Sequence, residues 1–108
     1  MASVGDFAGW VETWLRGRGT AWVIQQATAE ADLRPAMAQA FPVPLRRFGR
    51  GFLGVQGLAA LRACGPPEWQ EITSRIMAMH GDWAPALWAH EAWFHRQLAQ
   101  ARDLFLAD

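Results

Sequence analysis

Residues 82–105 read DWAPALWAHEAWFHRQLAQARDLF, and their periodicity sets the fold class. Leu87, Phe94, Leu98, Ala101 and Phe105 recur at the spacings of one helix face, three, four and seven residues apart. Asp82 stands where an N-cap is wanted, and Pro85 falls in the opening turn, where its missing N–H costs little. A half-buried strand would need alternation with period two, and the stretch has none. It is predicted to be the last helix of an all-α chain.

The same reading extends toward the N-terminus. Pro67 opens a helix with Glu68 and Glu71 near its start and an apolar stripe of Trp69, Ile72, Ile76 and Met79, ended by Gly81. Before it, Phe52, Val55, Leu58 and Leu61 mark a helix that stops at Gly65-Pro66-Pro67. Asp32 is placed to cap a third, with Pro35 in its first turn, Leu33, Met37 and Phe41 on its buried face, and Pro42 and Pro44 beyond its end. A second is predicted over residues 20–31, and a first carries Val4, Phe7, Val11 and Trp14 until Gly17 and Gly19 end it. The expected architecture is a single helical domain over residues 1–108, a compact bundle of five to seven helices, some short. A β-hairpin within residues 49–57 is the one strand considered, and the helical reading is preferred.

Composition narrows the classes. Of 108 residues, 52% are hydrophobic and 19% charged, which favours one packed core over a disordered chain. No apolar run approaches the roughly 18–20 residues needed to span a bilayer. The opening MASVGDFAGW lacks the basic-then-apolar layout of a secretory signal, and one cysteine, Cys64, leaves no internal disulfide. A cytoplasmic protein is expected.

Net charge is zero but unevenly placed. Residues 33–67 hold Arg34, Arg46, Arg47, Arg50 and Arg62 and no acid. Arg46, Arg47 and Arg50 follow Phe41-Pro42 and precede Phe52, so residues 36–52 read as a helix-turn-helix corner with a basic outer face. Such a surface suits an acidic peptide or nucleic acid.

Catalytic patterns are weak. His90-Glu-Ala-Trp-Phe-His95 has one residue too many for the zinc-protease signature H-E-x-x-H. Histidines five apart on a helix diverge by about 140° and do not share a metal. Glu91 and His95 are spaced to meet as a surface pair. Cys64 has no basic sequence neighbour and reads as a buried small hydrophobe. The glycine-rich GRGFLGVQG lacks the lysine and spacing of a phosphate loop.

Seven tryptophans are the compositional surplus. Trp83, Trp88 and Trp93 recur every five residues and fan around a helix, so one face cannot bury all three. Phe41, Phe52, Trp83, Trp88 and Trp93 are the candidate partner contacts, since exposed aromatic rings anchor interfaces.

Leu33, Ala36-Met37, Phe41-Pro42, Gly49, Phe52, Pro66-Pro67 and the segment PALWAHEAWFHRQLAQARD, with Leu87, Glu91, Trp93 and Asp103, together resemble helical companion subunits of the HvfC and TglI type. Residues 33–103 carry the likeness; Ala92 separates a Glu-Trp pair that is adjacent in the family pattern. The resemblance implies a non-catalytic subunit with no metal or cofactor of its own. Its partner would be a TIM-barrel multinuclear non-haem iron enzyme, joined as a heterodimer, that modifies ribosomally made precursor peptides at cysteine. This chain would help present the peptide, with Arg46, Arg47 and Arg50 binding it. The rival expectation is a small DNA-binding protein using the basic corner as a helix-turn-helix.

Overall fold

The computed structural model describes residues 4–40, 54–57, 59–79 and 81–106, and every described element is helical. In order they are α1 (Val4–Arg18), α2 (Thr20–Ala29), α3 (Arg34–Ala40), α4 (residues 54–57 and 59–63), α5 (Pro66–Ala78), α6 (Ala84–Ala89) and α7 (Glu91–Leu106). The expected all-α bundle is the observed one. The predicted corner, with Phe41, Pro42, Pro44, Arg46, Arg47, Arg50 and Phe52, lies outside the described residues, as do Leu58 and His80.

Burial of apolar stripes joins these helices. On α7, Trp93, Phe94, Leu98 and Ala101 are buried, as is Leu87 on α6, and the helix packs on α5, α3 and α6. From α5 come Trp69, Ile72, Ile76 and Met77, facing α7 on one side and α1 on the other. Ala8, Val11 and Leu15 of α1 and Val23 and Ala27 of α2 complete the same core, with Leu33, Met37, Leu61 and Cys64. The Cα radius of gyration, 13.1 Å, equals the roughly 13 Å expected of a folded chain of about 100 residues.

Helix ends show how local chemistry sets the corners. α1 runs through Gly17 to Arg18, and Gly19, at φ 94°, turns the chain directly into α2. α2 stops two residues before the predicted end because Glu30 takes the left-handed conformation at φ 47°. Ala31 N–H then reaches Gln26 O and Glu30 N–H reaches Ala27 O, both at 3.1 Å, a Schellman closure. Leu33, not the expected Asp32, stands at the N-cap position of α3, and Asp32 Oδ1 accepts from Arg34 N–H at 3.0 Å from one residue further out. Gly65 precedes α5, and its N–H donates to Glu68 Oε2 at 2.8 Å, with Pro66 and Pro67 in the first turn.

Three stripes differ from expectation. Val55 is 84% exposed, because the buried face of α4 runs through Gly57 and Leu61 at i and i+4, with Cys64 buried just past its end. Met79 is exposed because α5 ends at Ala78, and Thr73 and Met77 are buried in its place. Thr73 is accommodated by donating its hydroxyl to Trp69 O at 2.7 Å. The predicted last helix is two, broken at His90 (φ −122°, ψ 40°), whose N–H closes α6 on Leu87 O three residues back. Asp82 does not cap it; Trp83 holds the N-cap position, without a side-chain bond.

α7 also grips the connection between α2 and α3. Trp93 Nε1 donates to Ala31 O at 2.7 Å, and Gln97 Oε1 accepts from Leu33 N–H at 2.8 Å. His90 Nδ1 lies 3.4 Å from Glu30 Oε1. Gln97 is buried, so its amide replaces water for an N–H at the entry to α3 that no helix carbonyl reaches. Gln97→Leu is expected to cost about 1–3 kcal/mol by orphaning that N–H, as read from urea denaturation midpoints.

Candidate functional site

The three C-terminal tryptophans part company around the break at His90. Trp83 packs at 5% exposure just before α6, and Trp93 at 2% on α7, its ring against Phe94 at 6.2 Å. Trp88 stays 48% exposed, because α6 turns Ala84 and Leu87 into the core and leaves residue 88 on its outer side. The expectation that Trp83 and Trp93 meet a partner is therefore corrected: both rings belong to this chain's own core. Trp88 and Ile24, the latter on the helix against which α6 packs, are exposed large apolar side chains.

Phe41 and Phe52, the other predicted contacts, lie outside the described residues, as do the predicted peptide-binding Arg46, Arg47 and Arg50. Glu91 and His95 do not form the expected pair; His95 Nε2 is buried without a hydrogen-bond partner. Among the described residues no three of His, Cys, Asp and Glu converge as a metal site would require.

Cys64 is buried, as its sequence setting implied. Burial pushes its thiol pKa up, the Glu68 charge adds to the rise, and Arg102 offsets part of it. A thiol held protonated in this way is a poor nucleophile at neutral pH. It lies at the edge of an open cleft of about 460 Å³ between α4 and α5, bordered by Ala60, Ala63, Ile72, Glu68, Glu71 and Arg75. Arg102 reaches the same end of α4, donating to Cys64 O at 3.2 Å and lying 5.9 Å from the centre of the Trp69 ring.

An aromatic cluster on the α1–α2 corner was only half legible. Trp10 and Trp14, one turn apart, stack with centroids 6.5 Å apart and planes 14° from parallel. Trp22 meets Trp14 edge-on, at 5.5 Å and 84°. Arg18 lies over both, 5.5 Å from the Trp14 centroid and 5.0 Å from that of Trp22. Spacing at i, i+4 and i+8 places Trp10, Trp14 and Arg18 on one helix face. The turn at Gly19 that brings Trp22 across is a tertiary event the spacing does not encode.

Two surfaces thus stand out among the described residues: the exposed Trp88 of α6 and the tryptophan–arginine cluster of α1 and α2. No family model, no curated protein and no solved structure matches this chain.

Proposed function

We propose that the chain is a non-catalytic partner subunit of the HvfC and TglI type, docking on a TIM-barrel multinuclear non-haem iron enzyme and helping to present a precursor peptide for modification at cysteine. The observation that carries the reading is Trp88, a large ring left 48% exposed on a helix whose other large apolar side chain, Leu87, is fully buried. Leaving such a ring in water forgoes burial that a partner would recover, and tryptophan is enriched among interface anchors. The likeness of residues 33–103 to the companion subunits names the kind of partner. Iron belongs to that partner, and this chain contributes fit rather than ligands.

Co-expression with a TIM-barrel multinuclear non-haem iron enzyme, followed by co-purification and titration of the complex, tests the reading. Trp88→Ala is expected to fold and melt like the wild type and to lose roughly thirtyfold or more in affinity. Undiminished affinity in the folded variant would move the docking surface elsewhere. Failure of the wild type to associate with such an enzyme would remove the reading altogether.

A further inference from the structure

We propose that the cleft between α4 and α5 is a binding site for a small organic amine, an apolar body ended by an ammonium group. Its walls follow from the sequence. Ala60 and Ala63, three residues apart on α4, present one methyl each and leave open the space that larger side chains would fill. The apolar surface continues through Ile72 of α5 and Cys64 just past the end of α4, both buried. The volume, about 460 Å³, lies within the roughly 300–1,000 Å³ usual for clefts that hold small ligands.

The charged groups stand along the α5 wall. Glu68 and Glu71, three residues apart on one side of that helix, both border the cleft. Glu68 Oε2 accepts from Gly65 N–H at 2.8 Å, which holds this carboxylate at the corner and leaves its second oxygen uncommitted. Glu71 makes no hydrogen bond or ion pair among the described residues, although Arg75 follows it by one turn. Arg75 has an interaction of its own, and Arg102, which donates to Cys64 O, pairs with Asp103 at 3.2 Å. The described lining therefore sets two carboxylates against one guanidinium, and the carboxylates have bonding capacity to spare.

Charge and surface select the occupant together. An ammonium carries three donors and suits a pair of carboxylates one turn apart, while the apolar wall takes the body behind it. An anion would meet two like charges, and an uncharged apolar molecule would leave Glu71 without a partner. Two carboxylates do not hold a metal by themselves, and among the described residues no third ligand joins them. The cleft shares no residue with the Trp88 contact and is tested on the chain alone, so its failure would leave the enzyme-docking reading standing.

The experiment titrates the purified chain with phenethylamine, following binding heat and backbone amide shifts. Controls keep the phenylethyl body and change its end: phenylpropionate and phenethyl alcohol. The amine is expected to bind with a dissociation constant on the order of 1 mM, as an open cleft and so small a ligand allow. Shifts should concentrate at Ala60, Ala63 and Ile72, and binding should weaken as salt rises from about 0.05 to about 0.5 M. The alcohol should bind severalfold more weakly, and the carboxylate more weakly still. Glu71→Gln keeps the shape, removes the charge and should lose severalfold. Ala63→Phe fills the cleft from a solvent-exposed position and should abolish binding. Should one variant fail to fold, the other still decides. No measurable binding by the wild type, equal binding of phenylpropionate, shifts centred elsewhere, or full affinity in a folded Glu71→Gln or Ala63→Phe variant would overturn the assignment.

Discussion

Trp93→Ala is expected to destabilise the protein by about 3–5 kcal/mol, a large share of the roughly 5–15 kcal/mol that holds a domain of this kind together. The indole is 2% exposed and lies against Phe94, so its removal leaves a ring-sized void in the stripe where α7 meets its neighbours. A second loss adds to the first. Trp93 Nε1 is the donor to Ala31 O at 2.7 Å, and without it that carbonyl must find water or go unpaired. Urea denaturation of Trp93→Ala beside Trp88→Ala should separate the two rings: the first midpoint falls sharply, and the second stays near the wild type.

Ile76→Ala should cost about 2–5 kcal/mol for a different reason. Ile76 is completely buried on α5, the helix that packs on both α1 and α7. A cavity at a fully buried position of this shared helix forfeits packing that the surrounding helices recover only in part. Ile76→Val, which removes one methylene, should cost only about 0.5–1.5 kcal/mol. If both variants melt with the wild type, the core is not centred on α5.

The helical class and most of the α7 stripe were legible because amphipathic periodicity is local information. Leu87, Phe94, Leu98 and Ala101 are buried as their spacing required. Errors fell where tertiary structure set the phase or the boundary. Val55 continued an apparent stripe with Leu61, but six residues on a helix is well off one face, and a glycine, Gly57, turned out to share the buried side. Met79 was one residue past the end of α5, where helical phase no longer applies. The excess of tryptophan was plain in the composition, whereas the identity of the exposed ring depended on the break at His90, which carries neither proline nor glycine. The burial of Gln97 had no local signal, since the backbone N–H that makes it worth burying lies 64 positions away.

That last bond has a consequence for how the chain opens. Amides in the first turn of a helix ordinarily exchange their hydrogen with water readily, because no carbonyl of the same helix covers them. The Leu33 amide, just before α3, is covered by an acceptor on α7 that is itself buried. Exposing it requires α3 and α7 to part, which is a step toward unfolding the whole bundle and not a fraying of one end. In deuterium the Leu33 N–H should therefore persist as long as the amides of central α7, a clock for global opening at a position where a helix start alone would keep none.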